Sequence, residues 1–271
     1  MSQNNSKTLR LLMPQWQGGN NGVPYPLGAR LLAWLAPDSN APLVEVPVTP
    51  YEGQATVLED GIIERNALLK QLRAAQKIIE AYAPERIVVF GGDCLVSQAP
   101  FAYLNELYGG KLGVLWIDAH PDITAPGVIR RGMPMVNEHA MVLGNLLGEG
   151  DPVFAAEVKI PLRPERVMLA GLDVTTEQEC EVIDRLGLHR VNSAELADYV
   201  KSGKTADGPI PRWLRENKIE YLAVHLDLDV LDPKLFRSLY FNNPEAAGTS
   251  SATAGKLSFP QVINLIKGSS G

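Results

Sequence analysis

Cysteine is scarce: the 271 residues hold two, Cys94 and Cys180. Two thiols cannot build a disulfide framework, which excludes a stapled secreted scaffold and makes a reducing, cytoplasmic location the expectation. Long hydrophobic runs are missing as well. After the polar start Met1-Ser-Gln-Asn-Asn-Ser6, the apolar stretch is only Leu9–Met13, which is no secretory core. Nowhere does the chain reach the roughly 18 apolar residues of a membrane span, so no membrane partner is expected. Excess positive charge is absent too. The 25 basic and 31 acidic residues leave a net charge of −6, which sets nucleic acid aside as a partner.

What is present suffices for a globular core. Hydrophobic residues make up 45% and charged residues 21%, a balance that excludes disorder for most of the chain. No linker and no internal repeat stand out, so residues 1–271 read as one domain. Apolar strand candidates occur at Leu9–Met13, Leu43–Val46, Arg86–Phe90, Leu112–Ile117, Arg166–Ala170 and Tyr221–Leu226. Most lack polar alternation, as strands covered on both faces do. Helical spacing appears over Gly61–Tyr82, Leu95–Leu107, Met141–Leu147 and Glu177–Leu186, with a further helix-like stretch at Phe259–Lys267. Strands alternating with helices predict an α/β fold with a mainly parallel sheet. The loop-like stretches are Gln15–Pro26, Asp122–Pro134 and Asn242–Gly255.

The reactive side chains collect just after three of these strands. Gly91-Gly-Asp-Cys94 follows the third, Asp118-Ala-His-Pro-Asp122 the fourth and Asp227-Leu-Asp229 the sixth. Ligands bind outside the carboxyl ends of parallel strands, so five carboxylates, an imidazole and a thiol are expected to share one crevice. Clustered like charges are costly unless a cation neutralises them. A lone Asp-x-Asp is ordinarily a turn, but its recurrence beside Asp-x-His-x-Asp points to a metal site. The period-two spacing predicts extended backbone that sends the ligands to one side. Carboxylates with a little imidazole favour manganese-type ions over zinc. His225, inside the sixth strand, reads as a core residue or a support beneath the ligands, and His189 as surface.

These three segments resemble the ureohydrolase superfamily, the arginase and agmatinase family, whose hallmarks are Gly-Gly-Asp-His, Asp-Ala-His-x-Asp and Asp-x-Asp-x-x-Asp-Pro. The resemblance implies a three-layer α/β/α fold with a mainly parallel central sheet. It also implies a dinuclear Mn2+ centre, with Asp118 and Asp227 bridging the ions, Asp122 on one of them, and His120 and Asp229 on the other. Cys94 stands where the family has a histidine ligand. A thiolate suits manganese poorly, which leaves open a different metal, a single ion or weak occupancy, beside the plain reading of Cys94 as a small buried side chain. His139, in Val136-Asn-Glu-His-Ala140, stands near the family's proton-shuttling histidine, and Asn137 near its substrate-contacting asparagine. Thr124 and Thr175 fall at substrate-recognition positions where arginases carry asparagine and aspartate, so arginine itself is doubtful as substrate.

The family grips the guanidinium with a glutamate on a later strand. The chain is expected to stop short of that strand, as a truncated sequence would. The implied activity is metal-dependent hydrolysis of a linear amidine or guanidino C–N bond, with Asp122 and His139 as catalytic groups and a small cationic guanidino or amidino compound as substrate. A homo-oligomer, trimer or hexamer, goes with the resemblance. The alternative is a non-catalytic relative that keeps the fold for binding or assembly.

Overall fold

The structure is a computed structural model that describes residues 7–130, 133–201, 208–239, 242 and 254–268. Most of the loop expected at Asn242–Gly255 and the last residues of the chain lie outside that set. The chain gathers into two compact units, each discontinuous in sequence. One comprises residues 1–107 and 122–161, the other 108–121 and 162–271.

In the first unit β1 (Thr8–Met13) is the central strand of a parallel three-stranded sheet. It lies between β2 (Leu43–Glu45) and β5 (Arg86–Gly91), with Leu11 opposite both Val44 and Val89. Helix α1 (Pro24–Leu35) starts with proline in its first turn and stops at Ala36, whose extended backbone suits the residue before Pro37. Its one buried residue is Ala29, packed with Leu12 and Phe90. A two-residue hairpin pair, β3 (Leu58–Glu59) and β4 (Ile62–Ile63), leads into α2 (Arg65–Tyr82). That helix buries Leu68, Leu69, Leu72, Ala75 and Ile79, an i, i+3/i+4 stripe, and ends at Ala83 in the left-handed region before Pro84. Helix α3 (Gln98–Leu107) follows a short 3₁₀ turn at Cys94–Ser97. After the second unit's first strand the chain re-enters with the short pair β7 (Ile129–Arg130) and β8 (Met133–Pro134), then α4 (Val142–Leu147) and α5 (Pro152–Ala155).

In the second unit β6 (Leu112–Ile117) is buried along its whole length. It pairs in parallel with β9 (Val167–Ala170) on one side and β11 (Tyr221–Leu226) on the other, and β10 (His189–Val191) extends the sheet beyond β9. The connecting helices are α6 (Glu177–Leu186), α7 (Ser193–Lys201) and α8 (Pro209–Glu216), with α9 (Phe259–Gly268) at the end of the described chain. Helix α6 starts with a capping box between Thr176 and Glu179 and stops at left-handed Gly187. Leu115, Ile117, Met168, Trp213, Val230 and Leu257 form the core. The six strands expected from apolar runs are present, as are helices in the expected stretches at 61–82, 95–107, 141–147, 177–186 and 259–267. Elements α1, β10, α7 and α8 lie outside the expected strands and helices. In each unit the residues that carry chemistry follow strand ends, β5 in the first and β6 and β11 in the second.

Candidate metal centre

The second unit carries a sharply defined cluster beyond the ends of β6 and β11. The backbone there is not extended as the spacing predicts. The chain bends immediately after Ile117, and residues Leu228–Val230 form a 3₁₀ turn. Each segment closes on its own leading aspartate. Asp118 Oδ1 accepts the His120 N–H at 2.7 Å, and Asp227 Oδ1 accepts the Asp229 N–H at 2.7 Å. Short aspartate side chains favour this turn. The turns bring the donors together: one ligand atom each of Asp118, His120 and Asp229 lie within 4.8 Å of one another. His120 Nδ1 sits 3.1 Å from Asp229 Oδ2 and 3.5 Å from Asp118 Oδ1. His225 adds a contact from the strand itself, its Nε2 3.6 Å from Asp118 Oδ2 and its ring stacked on Trp116.

Burial and repulsion dominate the electrostatics. Burial, then the charges of Asp229 and Asp118, push the Asp227 carboxyl up to about 7. Burial and Asp118 push Asp229 up to about 6. Burial also works to raise Asp118, but hydrogen bonds to His120 and His225 overcome it and hold the group below the usual carboxylate range. For His120 burial favours the neutral ring, while Asp229 and Asp118 prevail and raise it well above its ordinary value. Two carboxyls driven toward protonation and one imidazole drawn toward a charge mark a crowded cluster of negative charge, which a bound cation would relieve. The donor set is carboxylate with imidazole, which fits a hard or borderline divalent ion. Thr175 is exposed in the loop between β9 and α6. That loop is tied to this cluster by the Asp173 and Val174 N–H groups, which both donate to Ala119 O.

The first unit holds a different set. Cys94 is 6% exposed and opens the 3₁₀ turn after β5. Its Sγ lies 3.8 Å from His139 Nδ1 and within 4.8 Å of an Asp122 carboxylate oxygen. Asp122 is buried with a left-handed backbone (φ 48°), so it does not continue the alternation begun by Asp118 and His120. Its carbonyl accepts from Leu143 and Gly144 of α4. Asp93, counted among the clustered carboxylates from sequence, is instead committed to the backbone. It accepts from Leu95 N–H at 3.1 Å and from Gly18 N–H at 3.0 Å. His139 sits in a 3₁₀ turn and donates its N–H to Gly18 O. In the same turn the buried Asn137 Oδ1 has no hydrogen-bond partner among the described residues. Thr124 is 1% exposed. His225 lies beside Asp118, one of the two places the sequence left open for it, whereas Glu138, fully buried next to His139, escaped the sequence reading.

The Arginase family model matches residues 43–265. The chain belongs to the arginase family. Among curated relatives, an arginase of Staphylococcus aureus is 27% identical over 173 residues, covering 64% of this chain and 51% of its own. The chain therefore spans about half the length of that relative. Among solved structures, an arginase of Entamoeba histolytica in complex with L-ornithine superposes with a TM-score of 0.69 at 18% identity, covering 87% of this chain and 79% of its own. A formimidoylglutamase of Bacillus subtilis gives 0.61 at 12% identity, covering 98% and 76%. These likenesses show the fold class expected from sequence, the arginase-like three-layer α/β/α type with a mainly parallel sheet. Proteins named for two different substrates share it, so the fold does not choose between them. No helix among the described residues is long and apolar enough to cross a membrane.

Proposed function

We propose that this member of the arginase family is a metal-dependent hydrolase of a linear amidine or guanidino C–N bond, urea-releasing when the substrate is a guanidine. The observation that carries the reading is the Asp118, His120 and Asp229 cluster with Asp227 beside it, whose raised carboxyls call for a cation. In the second unit Asp118, His120, Asp227 and Asp229 would hold divalent metal, and in the first unit Cys94 and Asp122 are themselves candidate ligands. Mn2+ is the metal the donor set favours, two ions per chain, with the Cys94 thiolate biasing its own position toward a softer ion. When bound, such ions supply a water activated as nucleophile at neutral pH.

The chain's own residues do the rest. Asp122 accepts a hydrogen from the attacking water and holds it toward the amidine carbon. His139, with Nδ1 toward the Cys94 sulfur, passes a proton through Nε2 to the departing amine as the C–N bond breaks. Asn137, with its buried and unpartnered Oδ1, is a hydrogen-bond acceptor for substrate N–H groups, and Thr124 and Thr175 complete the recognition set. The threonines bring no charge, which favours an amidine other than arginine. A cytoplasmic homo-oligomer, trimer or hexamer, goes with the family resemblance.

The test is metal content per chain after growth with manganese, followed by a panel of guanidino and formimidoyl compounds. Two manganese ions and release of urea or an amine would support the reading. Another metal at unit stoichiometry would assign the first position to Cys94. Stoichiometric metal with no turnover on the whole panel would favour the second reading, a binding protein on the same fold, for which the thiol in place of a family histidine speaks.

A further inference from the structure

Behind the Cys94–His139 pair lies a polar hub that the proposed chemistry does not use. Asn145 of α4 is fully buried. Its Nδ2 donates to Glu138 Oε1 at 2.7 Å and to Gln98 Oε1 at 3.0 Å, and its Oδ1 accepts the Asp151 N–H at 2.9 Å. Gln98, the first residue of α3, comes just after the turn that carries Cys94, and its Nε2 donates to Phe154 O at 2.7 Å. Glu138 immediately precedes His139 and is 0% exposed. Asp151 caps α5 and pairs with Arg65 at 2.9 Å. One amide thus joins the turn of the thiol to the turn of the imidazole.

We propose that Asn145, with Glu138 and Gln98, is a positioning device that sets the separation of the Cys94 thiol and the His139 imidazole. This rests on reading those two residues as parts of the centre. Apolar side chains would fill the space at no desolvation cost, whereas each buried polar group must find its partner. A network in which one amide satisfies both turns fixes their relative place, because a shift of either one strands a buried donor or acceptor. Glu138 suits the role as a neutral group. Burial pushes its carboxyl up to about 8, helped by Asp151, against the hydrogen bond from Asn145 and the charge of Arg65. Its Oε2 has no partner among the described residues, so glutamine can replace it with the same accepting oxygen.

The experiment uses the full chain in a Cys180→Ser background. The histidine ring signals are followed by NMR, where only four histidines titrate and His139→Asn assigns one of them. The rate at which a disulfide reagent modifies Cys94 is followed in parallel. Gln98→Met cuts the link to the thiol side and is expected to change the Cys94 rate about fivefold, the worth of one hydrogen bond. Glu138→Ala cuts the other side and should move the His139 titration by about half a unit or more. Glu138→Gln should restore it, and Asn145→Leu should alter both readouts. If these variants lower the melting temperature yet leave both readouts as in the parent, or if Glu138→Gln behaves like Glu138→Ala, the hub is only packing. Should Asn145→Leu fail to fold, the two one-sided variants decide. Absence of turnover in the parent on every amidine would sink the proposed function, while the histidine and thiol readouts would still judge the hub.

Discussion

The two units assemble their reactive groups by different means. In the second, the donors lie two residues apart at the ends of neighbouring strands, and each pair is locked by an aspartate that accepts the next-but-one N–H. Backbone geometry does the work, and the donors are carboxylate and imidazole. In the first, Cys94, Asp122 and His139 are far apart in sequence. Side-chain hydrogen bonds through Asn145 hold two of the three turns. The second unit's set is carboxylate and imidazole alone, whereas the first unit's includes a thiol, Cys94, beside His139.

The largest effect should come from the second unit. Asp227→Ala is expected to remove about one metal ion per chain and lower turnover about a thousandfold, read by elemental analysis and product release. A comparable loss from Cys94→Ala would break the contrast between the two sets. Next in size are two glycines. A Cβ on Gly92, in the first unit, would stand 2.0 Å from the Gln15 carbonyl oxygen, and one on Gly113, in the second, 2.4 Å from the Ile219 Cγ2 methyl. Backbone cannot yield as a side chain can, so Gly92→Ala should cost about 1–3 kcal/mol in urea unfolding and Gly113→Ala less.

Cys94→His would make the first unit's donors resemble the second's. Manganese affinity is expected to rise about tenfold in titration calorimetry, and no change would mean the thiol is not a ligand. The smallest effect concerns pH. Glu138 is raised from 4.5 to about 8 in the folded chain, so its contribution to stability is whole below pH 4.5 and is lost as pH rises through 8. Denaturation midpoints across that range should slope down less in Glu138→Gln.

Legibility follows the same division. All six strands expected from apolar runs are present, but only β6 and β9 among them are buried along their whole length. Strands β2, β5 and β11 expose residues such as Leu43, Val88 and Leu226, so their apolar composition, not burial on both faces, is what marked them. Helix α1 was hidden: Pro24, Pro26 and Gly28 read as loop, and its leucines face outward, with Leu27 56% and Leu35 68% exposed. The short β10, α7 and α8 carried too little periodicity to register. In the candidate site, turns rather than the extended backbone expected from their spacing gather the Asp-x-His and Asp-x-Asp pairs. Asp93 was counted among the clustered carboxylates because a capping aspartate and a coordinating one look alike in sequence. Glu138 and Asn145 could not be seen at all, as nothing local marks a buried network whose members lie 47 residues apart.

The His225 ring lies 3.7 Å from that of Trp116, at an interplanar angle of 6°, and its Nε2 faces Asp118. An indole is a fluorophore, and the stacked imidazole couples it to whatever charge arrives at that aspartate. The chain thus carries its own optical gauge: of its four tryptophans, Trp116 is the one whose emission should change when a cation settles at the ends of β6 and β11.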